Sequence, residues 1–472
     1  MNSKLPQISD NFAEWYQEVV YQSELVDNAP VRGCMVIRPY GTALWENITK
    51  ILDQKLKDTG HHNAVFPLFI PQSFLQKEAE HVQGFAPELA IVTHAGGEEL
   101  KEPLVVRPTS ETIIHYMFAQ WIHSWRDLPY KINQWCNVVR WEMRTRPFLR
   151  TTEFLWQEAH TAHETETEAL DEVMTMITQY SDLIENYLAI PCIKGIKPQH
   201  EKFAGAEKTF TIEALMQDGK ALQMCTSHLI AQTFAHAFNM KFQDRDGKEA
   251  YPYLTSSGFT TRSIGALIMV HGDQKGLVIP PKVAPIQVIV IPIFNAQNKD
   301  VVLFHAQEMV NALAQKVRVQ IDADDQETPG AKFYKWELKG VPLRIEIGMR
   351  DIEKKSVIVS DRLGLSKAAH PIDHIVQIVE EKIEHIHNAL FEKAHQYLKA
   401  QWHHKAKFTD FAEQLEKKGG IYQTGWCQRA QCAEVIKEHK ATIRCLLNEH
   451  NFASCCICQQ ESPFDILIAK AY

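Results

Sequence analysis

Between Ala43 and Thr59 apolar residues recur at helical spacing (Leu44, Ile48, Ile51, Leu52, Leu56), and Gly60 supplies the stop. A helix is expected there, and a shorter one over Asn11 to Tyr21. Ala64 to Pro71 reads as a strand with Pro67 embedded in it. A proline removes a ladder donor, so this strand belongs at an edge or a subunit boundary. Pro108, then Thr109 or Ser110 as a cap, then Ile113, Ile114, Met117, Phe118 and Trp121 announce another helix. From Val138 the chain runs strand-like to Met143, turns through a basic loop (Arg144, Arg146, Pro147, Arg150), and runs strand-like again to Gln157. Two such runs predict an antiparallel hairpin.

Glu164 to Tyr187 reads as a long helix with an acidic first turn, and Lys208 to Ala214 alternates like a strand. Gln223 to His228 precedes a helix through Phe238. Ser256 to Gly265 opens onto an apolar helix, Ala266 to Val270. Val283 to Pro285 reads as a linker. Beyond it Ile286–Ile293, Asn298–Gln315, Val317–Ile321, Leu343–Ile347 and Ser356–Val359 alternate strand and helix, which predicts a small α/β domain with a mixed sheet. Pro371 to Lys399 is a long amphipathic helix.

A chain of 472 residues suggests about three domains, and a hydrophobic content of 45% is ample for their cores. The first residues hold no basic segment followed by an apolar run, so no secretory signal is read. The best apolar run, Ile286 to Phe294, is interrupted by Pro292 and is too short to span a membrane. A soluble, cytoplasmic protein is expected. The net charge of -8 argues against a mainly electrostatic nucleic-acid binder. It leaves room for a large enzyme with local basic patches.

Cysteines divide into two groups. Cys34, Cys136, Cys192 and Cys225 are scattered and read as reduced core residues. Six lie between Cys427 and Cys458. Among them Cys427 and Cys432, then Cys456 and Cys458, form two close pairs that suit a tetrahedral structural zinc site. Core cysteines are one alternative and disulfides of a secreted protein the other, though nothing else in the sequence supports secretion; Cys445 and Cys455 are further thiols.

On the predicted hairpin, Arg140, Glu142, Trp156, Glu158 and His160 fall side by side on one face. Arg, carboxylates and His over large aromatics suit a pocket for a small charged molecule; a solvated charge stripe has the same pattern.

The order Arg140-x-Glu142, basic loop, Arg150-Thr151-x-x-Phe154-x-Trp156-x-Glu158-x-His160 resembles motif 2 of the class II aminoacyl-tRNA synthetases. Within that class it is similar to the prolyl-tRNA synthetases of archaeal and eukaryotic-like type. The helix and strand around Pro67 resemble motif 1, the dimer-forming element. Gln223-x-x-Thr226-Ser227-His228 resembles the segment that binds ATP and proline together. Ser256 to Gly265 resembles motif 3, and His271 to Pro281 carries a further family signature.

The resemblance implies a fold and a chemistry. The fold would be α/β (α+β): a class II antiparallel-sheet catalytic domain over 1–283, an α/β anticodon-binding domain over 284–388 and a small zinc-binding domain over 389–472. The chemistry would be ATP-dependent ligation of L-proline to tRNA(Pro) through prolyl-adenylate, by a homodimer using ATP with Mg²⁺ and a structural Zn²⁺. Arg140 would grip the reacting carboxylate and the α-phosphate. Attack of one anion on another needs such a planar guanidinium and no general base. Glu142 and Phe154 would hold adenine, with Arg150, Thr151, Gln223, Thr226, Thr260 and Arg262 around ATP. Thr109, Glu111, Trp156, Glu158, His160, His228 and Ser256 would form the proline pocket, although capping alone also explains Thr109 and Glu111.

Glu337 and Arg344, in the segment Trp336 to Arg344, would meet two guanines of the anticodon; a strand-edge ion pair is equally open. The basic stretch His403 to Lys407 is either a solvated surface or a tRNA backbone contact. The chain departs from the family in two places. Leu229 stands where a second His is frequent, and Ser257 stands where an aromatic usually walls the imino-acid pocket. Only about a hundred residues separate motifs 2 and 3, which leaves no room for the editing domain of bacterial-type relatives. A threonyl- or seryl-like sister enzyme would lack the Trp156, Glu158, His160 set. A catalytically dead paralogue would be expected to lose Arg140, Glu142 and Arg262.

Overall fold

The computed structural model describes residues 5–74 and 89–472. Its centre is a strongly antiparallel sheet. Strands β1 (Tyr130–Val139) and β2 (Glu153–His163) form the expected hairpin, closed at Val139 opposite Glu153. The first strand ends earlier than expected, and Arg140 to Arg150 form the connecting loop. Strands β3 (Ile193–Ile196), β4 (Lys208–Leu215), β5 (Ala221–Ala231) and β6 (Tyr253–Thr260) continue the sheet, in the order β3-β4-β5-β6-β2-β1.

Helices cover one face. α1 (Phe12–Gln22), α2 (Pro39–Asp58), α4 (Glu166–Asn186) and α5 (Arg262–His271) bury Trp15, Val19, Leu44, Ile48, Leu52, Tyr180, Leu183 and Ile264 in one core. The acidic first turn of α4 is a capping box: Thr165 accepts from the backbone of Glu168, and the Glu168 side chain answers. α3 (Glu111–Trp121) approaches the opposite face, where the cleft lies.

Two expectations are corrected. Gln223–His228 does not lead into a long helix. It is the middle of β5, and only Thr233–Ala237 is helical after it. The motif 1 strand is split by Pro67: His62–Asn63 pairs in parallel with β1 as the last member of the sheet, and Phe69–Pro71 pairs elsewhere. The carbonyls of Phe66 and Pro67 are held by the buried guanidinium of Arg107.

The second domain has a five-stranded mixed sheet, as the alternation implied. Strands β7 (Val288–Ile293), β8 (Val319–Ile321) and β9 (Leu343–Gly348) are parallel; β10 (Ser356–Asp361) and β11 (Lys367–Pro371) are antiparallel. α6 (Lys299–Leu313) and α8 (Ile375–Gln401) pack on it through Ala306, Met309, Ile375 and Val379. A shorter helix, α7 (Pro329–Leu338), carries Glu337.

The C-terminal region is not a separate layer. Its strands β12 (Trp402–His404), β13 (Ile421–Trp426), β14 (Thr442–Leu446) and β15 (Phe464–Ala469) extend the catalytic sheet. β14 pairs with β3 through Leu446 opposite Ile196, giving one sheet of eleven strands. Among the described residues no helix is long and apolar enough to cross a membrane.

Candidate active site

Strand alternation builds the site. On β2 the side chains of Trp156, Glu158 and His160 share a face. Register places Ser256 opposite His160, Gly258 opposite Glu158 and Thr260 opposite Trp156 on β6; His228 and Thr226 face Ser256 and Gly258 from β5. Gly258 matters for space: a Cβ there would lie 3.2 Å from the Trp156 ring. Every catalytic-domain residue named from the sequence lines one cleft. These are Thr109, Glu111, Arg140, Glu142, Arg150, Thr151, Phe154, Trp156, Glu158, His160, Gln223, Thr226, His228, Ser256, Thr260 and Arg262. The hairpin face is therefore no solvated stripe; Glu158 and His160 are each 1% exposed.

Glu158 is the most constrained group. It accepts hydrogen bonds from the Ser110 hydroxyl, Gln134 Nε2 at 2.9 Å and the Cys136 thiol at 3.3 Å, and it meets His160 Nε2 at 3.2 Å. Burial works against its charge, but the bond and charge of His160, with Ser110 and Gln134, hold its pKa below the usual carboxylate value. His160 responds in kind: burial opposes its proton, while the Glu158 bond and the charges of Glu111 and Glu158 raise its pKa. Glu111, Glu158 and His160 bring ligand atoms within 4.8 Å of one another. The Thr109 hydroxyl donates to Glu111. This end of the cleft is negative and suits a small ammonium ion.

Arg140 stands at its border. Its Nε donates to the carbonyl of Pro108 at 3.0 Å, and its guanidinium lies 5.5 Å from the ring centres of both Phe154 and Trp156. Burial lowers its pKa, while Glu111, Glu158 and Glu142 act to raise it. Beyond Arg140 the cleft turns basic. Arg150 pairs with Glu142 at 3.0 Å. Arg262, at the start of α5, donates to the carbonyls of Leu149 at 3.2 Å and Gln223 at 3.3 Å. Burial, with Arg140 and Arg150 nearby, lowers the Arg262 pKa to about 10. Clustered guanidiniums beside a helix start form a site for phosphate.

His228 sits between two hydroxyls, Thr209 at its Nδ1 and Thr226 at its Nε2, each 3.0 Å away, with the Phe203 ring 4.6 Å from its own. Burial, with the charge of His160, lowers its pKa to about 3, so it is neutral.

Several functional groups escaped the sequence. Ser110, Gln134 and Cys136 hold Glu158, and the register gives the signal, since Gln134 lies opposite Glu158 on β1. Phe203 and Thr209 complete the wall around His228. Thr209 follows from alternation in β4, whereas Phe203 lies in an irregular loop with no local signal. Ser257 borders the cleft, but by strand parity it shares the face of Phe259, whose ring stacks against Tyr180 of α4 behind the sheet. A side chain at 257 therefore shares its strand face with the helix layer.

Glu337 and Arg344 share a groove with Trp336, Ser360 and Asp361. Each already has a partner: Glu337 meets Lys275 at 2.8 Å, and Arg344 meets Glu346 at 3.0 Å while lying 4.1 Å over Phe333. Far away, four thiols converge, those of Cys427, Cys432, Cys455 and Cys458, all within 4.8 Å of one another. Cys427 Sγ is 3.6 Å from Cys432 Sγ and 3.5 Å from Cys458 Sγ. Thiolates around one zinc stand ~3.8 Å apart, so the set fits. The fourth member of the converging set is Cys455, not Cys456 as expected; Cys456 is buried beside it and lies outside the set.

Three family models match the chain in order. They are the tRNA synthetase class II core domain (G, H, P, S and T) over residues 93–271, an anticodon binding domain over 287–382, and the prolyl-tRNA synthetase C-terminal domain over 408–472. The proline--tRNA ligase of Natranaerobius thermophilus is 48% identical, with 98% of this chain and 97% of that protein covered. The chain belongs to the prolyl-tRNA synthetases. The proline--tRNA ligase of Alkaliphilus oremlandii is 50% identical over 98% of this chain and 96% of its own length. The crystal structure of the prolyl-tRNA synthetase from Cryptosporidium parvum, complexed with halofuginone and AMPPNP, superposes with a TM-score of 0.93 at 40% identity, covering 100% of both chains.

Proposed function

We propose the following division of labour for the ATP-dependent joining of L-proline to tRNA(Pro), the activity of the family to which this chain belongs. The single observation that carries it is the position of Arg140 between a buried acidic end and a basic end of one cleft. Proline enters with its secondary ammonium toward Glu111, Thr109 and the Glu158–His160 pair, and its ring against Trp156, Phe203 and His228. ATP lies along the basic half, with adenine between Glu142 and Phe154 and its phosphates toward Arg150, Arg262, Gln223 and Thr226. Magnesium arrives as part of this substrate, on the triphosphate.

A proline carboxylate oxygen attacks the α-phosphorus. The new P–O bond forms as the bond to the β-phosphate bridging oxygen breaks, and pyrophosphate leaves with that electron pair. Arg140 holds both anions and absorbs charge at the transition state. Its backbone bond to Pro108 uses Nε and leaves the outer donors free for the two substrates. In the second step a terminal ribose hydroxyl of tRNA attacks the acyl carbon and releases AMP. Arg344 and Glu337 meet the anticodon by exchanging their present partners, and Cys427, Cys432, Cys455 and Cys458 hold a zinc ion that fixes the end of the chain structurally. The working unit is a homodimer of the reducing cytoplasm, which suits the exposed apolar side chains of Val65 and Phe69 beside Pro67 and the free thiols. ATP–pyrophosphate exchange run across all the standard amino acids tests the whole assignment. Proline is expected to drive exchange; another amino acid driving it faster refutes the pocket.

A further inference from the structure

A buried side chain of the C-terminal region, Arg444, lies close to the active site. Arg444, on β14, sends Nε and Nη2 to a single oxygen of Glu213 on β4, at 3.0 and 2.7 Å. The other Glu213 oxygen takes the ammonium of Lys197 at 2.9 Å and the hydroxyl of Thr211 at 3.1 Å. Lys197 closes the circuit by donating to the Arg444 carbonyl at 2.8 Å. The cluster is sealed: Glu213 is 1% exposed, Lys197 5% and Arg444 9%. Burial would raise the Glu213 pKa, but the charges of Lys197 and Arg444 hold it below the usual carboxylate value.

The cluster adjoins the nucleotide half of the cleft. Glu213 is the cross-strand partner of Gln223 at a bulge in the β4–β5 pair, and the carbonyl of Gln223 receives the Arg262 guanidinium. Lys197 itself lines the cleft. Arg262 keeps its charge against burial and against Arg140, Arg150 and Arg444; Glu213 is the carboxylate acting in its favour. Interface stability alone does not explain a buried ion cluster, because such clusters stabilise little over apolar packing. Their better-attested use is to fix one geometry.

We propose that Glu213, clamped by Lys197 and Arg444, is a positioning residue for the triphosphate end of the active site. The C-terminal region thereby takes part in adenylate formation through Arg444. The inference rests on the assignment of Arg262 and Gln223 to ATP given above. Glu213 is not among the residues that line the cleft. It holds the β4–β5 rung that carries Gln223, and it balances the positive field at Arg262.

The test is proline-dependent ATP–pyrophosphate exchange by Arg444→Met, with separate KM values for ATP and proline. Melting midpoint and zinc content are measured on the same samples. The expected result is a roughly 3- to 30-fold loss in kcat/KM for ATP, with the KM for proline within about twofold of wild type and zinc retained. Arg444→Lys keeps the charge and loses the two-pronged grip, so it should recover part of that loss. If Arg444→Met does not fold, Arg444→Lys alone must show the smaller ATP-selective defect. ATP kinetics like wild type in a folded variant overturn the proposal. So does a loss that follows only the folded fraction, or one that strikes proline and ATP alike. Arg140→Ala is run alongside. If that variant also exchanges normally, the substrate assignment itself fails; if it is dead and the Arg444 variants are normal, only the present inference fails.

Discussion

Replacing Arg140 by alanine is the sharpest test of the reaction chemistry. In the folded protein this side chain is fixed by one backbone bond, at 3.0 Å to Pro108, and lies 5.5 Å from the centres of both the Phe154 and Trp156 rings. None of these contacts is needed for the sheet, which is paired independently from Val139 to Glu153 onward. The loss should therefore fall on the reaction. At the transition state the guanidinium faces two anions in a cleft largely withdrawn from water. Removing one preorganised donor of this kind costs about 3–4 kcal/mol, or ~10²–10³ in rate. Because Arg140 serves both anions, that figure is a lower bound. The carboxylates of Glu111 and Glu158 also lose a neighbouring cation, which works against the incoming carboxylate and raises the cost further. The assay is proline-dependent pyrophosphate exchange, with circular dichroism and sedimentation to show an intact fold. A folded Arg140→Ala protein that exchanges within about tenfold of wild type would falsify the argument.

Five further outcomes are expected. Purified protein should hold one zinc ion per chain; Cys455→Ser should lose it and Cys456→Ser should keep it, read by elemental analysis. Arg344→Ala should raise the KM for tRNA in aminoacylation and leave pyrophosphate exchange unchanged; equal effects on both reactions would contradict an anticodon role. Alanine should form adenylate at a measurable rate, because each missing methylene discriminates by only about 1–3 kcal/mol. Supplied Ala-tRNA(Pro) should hydrolyse no faster than without enzyme. Acid should destabilise the fold, since burial lowers the pKa of His61 and His271 to about 4 and of His163 to about 3. Groups with depressed folded values contribute stability above their ordinary value near 6.5, and that contribution is lost as pH falls. Each should cost about 1.4 kcal/mol per pH unit below that point. An unfolding midpoint unchanged between about pH 7 and pH 5.5 rules this out.

What could be read from the sequence follows physical lines. The site on β2 was legible because alternation is strict: once Trp156 faces the cleft, Glu158 and His160 must as well. The second-domain strands were legible because β-branched runs alternate with helical patterns. β5 was misjudged at its far end because Leu229, Ile230 and Ala231 form a short apolar run, which suits a helix as well as a strand. The choice between Cys455 and Cys456 turned on which of two adjacent thiols points toward Cys427, and neighbouring residues point in different directions. The two-residue gap from Cys455 to Cys458 is nonetheless a common zinc spacing and was available to be read. Ser257 shows the opposite case, where its parity with Phe259 already sent it to the helix side. The union of the catalytic and C-terminal strands left no local trace, since Leu446 and Ile196 are far apart in the chain.

That union has a consequence for how the chain is made. Synthesis delivers β3 early, and one edge of it is filled only when β14 emerges; Lys197 and Arg444, which bond across this seam, are separated by 247 positions. Until then the edge of the nascent sheet at Ile196 stays unpaired, and an open strand edge is a template for pairing with other chains. Contacts of such long range also form slowly. A ribosome that stalls or terminates before Leu446 therefore leaves the β3 edge without its partner. It releases a sticky half-sheet, and quality control must recognise that species for the cell to keep prematurely ended copies from aggregating.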